Sequence, residues 1–101
     1  MPSKSPTQRS LAHLRKEGYT VTITEHWNAF ARRRVDLWGF CDLLALKPGE
    51  TLCVQTTSLS NMSARVNKIA EHENTPKLRD AGWQIHVHGW DGPKLKIKDV
   101  S

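Results

Sequence analysis

Cys41-Asp42-Leu43-Leu44-Ala45-Leu46-Lys47-Pro48-Gly49-Glu50-Thr51-Leu52-Cys53-Val54-Gln55-Thr56-Thr57 reads as two β-strands joined by a tight turn. With Lys47-Pro48-Gly49-Glu50 as a four-residue turn, Leu46 faces Thr51, and counting back along the antiparallel pair sets Asp42 opposite Gln55. Side chains alternate along a strand, so Asp42, Gln55 and Thr57 share one face of the sheet. A carboxylate among so many strand formers serves something other than packing.

The flanking sequence predicts an α/β domain around this hairpin. Ser5-Pro6 supplies an N-cap and a first helical position, Leu11 and Leu14 an apolar stripe, and Gly18 an end. Tyr19 to Glu25 alternates as a half-buried strand, and Glu25 shares the parity of Val21 and Ile23. After the hairpin, Met62, Val66, Ile69 and Ala70 mark one side of a helix, with Arg65 and Lys68 at its margins. Thr75-Pro76 opens a short helix, Trp83 to Trp90 is a strand, and Lys94-Leu95-Lys96-Ile97-Lys98 is a basic edge strand that resists strand-on-strand aggregation. The order is roughly αβββαβ, a mixed sheet flanked by helices, with the short helix before the last core strand.

The 101 residues, 38% hydrophobic, suit one domain over 1–101 with residues 1–5 flexible, burying roughly 65% of its unfolded surface. No apolar run approaches the roughly 20 residues that span a bilayer, and the amino terminus lacks the apolar stretch of a secretory signal. A cytoplasmic protein is the simplest expectation. Cys41 and Cys53 have opposite parity on the paired strands, so alternation sends them to different faces as small, reduced, buried groups.

A strand acid followed about a dozen residues later by a polar-x-polar triplet, here Asp42 and Gln55-Thr56-Thr57, resembles the PD-(D/E)XK nuclease superfamily, and Holliday junction resolvases in particular. The likeness runs from about Thr7 to about Trp90. It implies a restriction-endonuclease-like core and a DNA endonuclease that uses Mg²⁺ or Mn²⁺ to hydrolyse phosphodiesters in branched or structured DNA. It also implies a homodimer, since a four-way junction offers two equivalent strands. Asp42 would be the metal-binding acid, Gln55 the second ligand and the Thr56 carbonyl a third, with Thr57 standing where the family has its lysine. Two other classes compete with this one: a catalytically silent DNA-binding protein on the same fold, and an interaction module that shares the fold alone.

The pattern departs from the family at several positions. Gln55 is neutral, Thr57 has no positive charge, and the place of a helix acid is taken by Thr7, with Gln8 beside it. Compensation within the chain is available. A bend at Gly39 would return Asp36 toward the metal held by Asp42, unless Asp36 pairs with Arg32, Arg33 or Arg34; Glu25 lies near its strand end, and Arg65 or Lys68 would replace the lysine.

The net charge of +5 favours a polyanionic partner. Arg32-Arg33-Arg34 lies among Trp27, Phe30, Trp38 and Phe40. Guanidinium groups grip phosphates and rings stack on unpaired bases, which suits branched or single-stranded DNA; the plainer reading makes Trp38 and Phe40 core and Trp27 an edge cap. His86 and His88 share a strand face, but with no third ligand nearby in sequence they read as a solvated surface and not a metal site.

Overall fold

The computed structural model describes residues 5–101. Residues 1–4, most of the segment expected to be flexible, lie outside the described residues, whereas Ser5 is the N-cap of the first helix, its Oγ accepting the Gln8 N–H at 3.2 Å. In chain order the elements are α1 (Pro6–Lys16), β1 (Thr20–Ile23), β2 (His26–Asn28), β3 (Arg33–Val35), β4 (Leu43–Lys47), β5 (Glu50–Ser58), α2 (Met62–Glu71), α3 (Thr75–Asp80), β6 (Gln84–Asp91) and β7 (Lys94–Asp99).

A mixed five-stranded sheet runs in the order β1-β4-β5-β6-β7, with β2 and β3 forming a separate ribbon. Among the described residues only β5 and β6 pair in parallel, as expected for strands joined by the helical crossover α2–α3. The turn chemistry sets the hairpin register. Pro48 fixes φ, Gly49 takes φ +75°, and Leu46 pairs with Thr51 as the sequence predicts. The α/β class therefore holds, and β7 with its lysines lies at the sheet edge.

Alternation then sorts the core into two layers. Leu43, Ala45, Leu52 and Val54 pack beneath Leu11 and Leu14 of α1 on one face. Cys53, Ile85 and Val87 pack against Met62 and Ile69 of α2 and Leu78 of α3 on the other. Among the described residues no helix is long and apolar enough to cross a membrane.

The segment between ribbon and hairpin departs most from expectation. The chain turns through Leu37–Cys41, where the Gly39 N–H donates to the Asp36 carbonyl at 3.1 Å, and it bends again at Asp42 before β4 begins. That second bend breaks strict alternation. Cys41 therefore enters the same buried cluster as Cys53, on the α2 side, and the expectation of opposite faces is corrected. Within this closely coupled pair, interaction of the two thiols holds the Cys53 proton more tightly and pushes its pKa up. Phe40 is core, but Trp38, at φ +58°, is turned outward and stays 46% exposed.

Gly39 is the pivot of this turn. Its φ is +91°, and a Cβ there would lie 2.4 Å from His72 Nε2. Gly39→Ala is expected to cost about 2–3 kcal/mol in denaturant unfolding, because backbone strain and the clash with the His72 ring act together.

The histidines also correct the sequence reading. His88 is fully buried beneath α1, where its Nδ1 lies 2.8 Å from Ser10 Oγ, which also accepts the Trp90 Nε1–H at 2.8 Å. Burial, then the neighbouring His13 and His86, lowers its pKa to about 3, so it is a neutral core group and not part of a solvated face. His86 remains near the surface, 3.7 Å from Asp99.

Candidate metal and phosphate cleft

A cleft of about 280 Å³ opens where α1 begins, β4 starts, β5 nears its end and the ribbon returns to the sheet. Each of these elements contributes. Pro6 and Thr7 come from α1, Glu25 and Asp36 from the two feet of the ribbon, Arg34 from β3, and Gln55 and Thr56 from β5; Asp42 lies at the bend and Arg65 on α2. The ends of β1 and the hairpin are pinned together beside it. The Thr24 N–H donates to the Asp42 carbonyl at 2.8 Å, and Thr24 Oγ1 donates to the Cys41 carbonyl at 2.7 Å.

Asp42 is 4% exposed and is anchored to the next strand through one oxygen. Its Oδ2 accepts from Gln55 Nε2 at 2.9 Å, the Thr56 N–H at 2.8 Å and Thr56 Oγ1 at 3.2 Å. The meeting of Asp42 and Gln55 inferred from parity is thus present. Burial raises the Asp42 pKa to about 7; the Thr56 N–H opposes this, and Asp36 and Glu25 add to it.

Oxygens of Glu25, Asp36 and Asp42 all lie within 4.8 Å of one another. That spacing is close to what a hard cation ligated at 2.0–2.6 Å sets between opposite oxygens. Gln55 lines the same cleft. Its Nε2 serves Asp42, while its Oε1 is buried with no hydrogen-bond partner among the described residues. A buried acceptor without a donor is unfavourable unless a cation or donor completes it.

The cationic side is supplied by Arg65 and Arg34. Arg65 is half-buried on α2 and lines the cleft, whereas Lys68, one turn further on, is exposed and does not. Arg34 Nη1 lies 3.5 Å from Glu25 Oε1 with the arginine side chain 70% exposed. With its arginine so exposed, the pair is worth about 1 kcal/mol at most.

Other expected site residues take different places. Thr57 is buried and does not line the cleft, so it does not stand in for a lysine. Thr56 meets Asp42 through its N–H and hydroxyl. Thr7, at the position of the expected helix acid, does reach the cleft, where its Oγ1 lies 2.8 Å from Thr56 Oγ1. Arg32 and Arg33 are exposed on the ribbon and do not line the cleft. Arg34, grouped with them by sequence, belongs to the site itself. No family model matches this chain, and no curated protein matches it.

Proposed function

We propose that this protein is a divalent-metal-dependent DNA endonuclease of the PD-(D/E)XK type, built on a restriction-endonuclease-like core and acting as a homodimer on branched or structured DNA in the manner of a Holliday junction resolvase. The observation that carries this reading is the convergence of Glu25, Asp36 and Asp42 oxygens in a cleft also lined by Gln55, whose buried Oε1 has no hydrogen-bond partner among the described residues. The sheet supports it too: three antiparallel strands continue into a parallel one across a helical crossover, and the acids gather at one end.

Glu25, Asp36, Asp42 and Gln55 would hold Mg²⁺ or Mn²⁺, which when bound polarises the phosphate and acidifies a water. Around that seat the chain performs the rest. Thr56 and Gln55 fix Asp42 in one orientation through three donated hydrogen bonds. Arg65 offers a permanent guanidinium to the charge that develops on the scissile phosphate, doing from the helix what the family lysine does from the strand. Arg34 exchanges Glu25 for a phosphate oxygen, leaving the carboxylate to its ligand role. Arg32 and Arg33 contact the flanking backbone.

The test is incubation with labelled four-way junction, flap and linear DNA in Mg²⁺ or Mn²⁺. Cleavage is expected for the branched substrates, and Arg65→Ala is expected to slow it about 100-fold with only a modest change in binding. Binding without cleavage in either metal would overturn the enzymatic reading and leave a silent DNA-binding protein on the same fold.

A further inference from the structure

We infer that the β2–β3 ribbon is a wedge whose tip residue, Phe30, inserts at the branch point of a DNA substrate; this rests on the nuclease reading and names the device that selects branched over continuous DNA. The ribbon pairs His26 with Val35, Trp27 with Arg34 and Asn28 with Arg33. At its tip Phe30 is completely exposed, at 102% of its reference area.

That exposure does not come from a loose loop. Asn28 Oδ1 accepts the N–H groups of both Phe30 and Ala31, at 3.0 and 3.1 Å, and Arg32 is held in the left-handed region at φ +52°. Asn is a residue type that locks a turn in this way. The fold thus presents an aromatic ring to solvent on a fixed support.

The ribbon is rooted in the cleft at both feet. Glu25 precedes β2 and Asp36 follows β3, and both contribute to the acid cluster. Directly paired residues share a face of a ribbon, so Trp27, 62% exposed, lies on the same face as the cleft-lining Arg34. Three residues of strand rise about 10 Å, the axial length of about three base pairs. A strand with its scissile phosphate at the acids therefore brings a base step a few nucleotides away to Phe30.

Charge identifies the occupant. Exposed Arg32 and Arg33 flank the aromatic tip, and docking two copies of the ribbon tip to tip would press four guanidinium groups together. A polyanion has the opposite preference. At a branch the terminal pair lacks a stacking neighbour on one side, so a ring enters there at little cost, whereas in continuous duplex it must first separate two stacked pairs.

The experiment places 2-aminopurine at the branch-point nucleotide of a four-way junction and omits divalent metal, so that binding is read without cutting. The native chain is expected to raise its emission on binding by unstacking the base. Phe30→Ala, which removes an exposed ring and leaves the unfolding midpoint unchanged, is expected to abolish that rise and to lower the preference for junction over linear DNA about 10- to 100-fold; Phe30→Trp is expected to retain both. An equal rise with Phe30→Ala overturns the proposal, as does a Phe30-dependent dimer in sedimentation with unchanged junction preference. The two readings fail separately. Loss of the Phe30 effect with Asp42-dependent cleavage intact removes the wedge alone, while a Phe30-dependent signal without cleavage in Mg²⁺ or Mn²⁺ removes the nuclease alone.

Discussion

Asp42→Asn is expected to reduce Mg²⁺-supported cleavage by about 10³-fold or more while making the metal-free protein more stable at pH 8. The loss follows from removing the acid at the centre of the cluster. The gain follows from its pKa. Burial, with Asp36 and Glu25 beside it, raises Asp42 from 3.8 to about 7, so the folded chain binds this proton more tightly than the unfolded chain. Stability therefore falls as pH rises from about 4 to about 7, and the penalty is complete above that window. The shift corresponds to roughly 2–4 kcal/mol once some solvent relief is allowed. Asn carries no charge, and its Oδ1 can still accept from the Thr56 N–H. Urea unfolding at pH 5 and pH 8 checks this: the native chain loses stability between them, the variant does not, and saturating Mn²⁺ narrows the difference by replacing the proton. A more stable native chain at pH 8 in the absence of metal would contradict the account.

Gln55→Glu is expected to have the opposite pair of effects. Its carboxylate would lie where Gln55 Nε2 now donates to Asp42 at 2.9 Å, so a stabilising hydrogen bond becomes a repulsion between like charges. Without metal at pH 8, where both acids tend to ionise, a loss on the order of 3 kcal/mol follows. With metal the added charge becomes an advantage, and affinity for Mn²⁺ should rise about tenfold or more. Thermal unfolding with and without Mn²⁺ reads both effects: the variant starts lower and gains more. If metal shifts the two proteins equally, Gln55 is not at the cation's seat.

The hairpin was legible because its turn residues act locally. Pro48 and Gly49 permit few geometries, and once Leu46 met Thr51 the approach of Asp42 to Gln55 followed by counting. The three-residue strands of the ribbon offer too little alternation to distinguish them from a loop, and Asn28 before Ala29-Phe30-Ala31-Arg32 marks a turn without marking the strands around it. The convergence of Glu25 with Asp36 was visible only as separate options, since it depends on the Leu37–Cys41 turn, whose shape rests on packing against His72 at the end of α2. Parity failed for the cysteines because the bend at Asp42 interrupts it. It failed for His88 in another way: period-two logic assigned a face, but not the covering helix α1, whose Ser10 hydroxyl meets His88 Nδ1 and also accepts from Trp90. Choosing Arg65 over Lys68 needed the actual path of α2, because both residues stand at the helix margin in the linear pattern.

The two thiols lie immediately beside this machinery, Cys41 next to Asp42 and Cys53 two residues before Gln55, and neither exposes any surface. A reagent dissolved in water meets them only when the layer covering them lifts. The chain thus carries a built-in chemical clock, in which the alkylation rate of native protein counts how often the floor of the cleft comes apart.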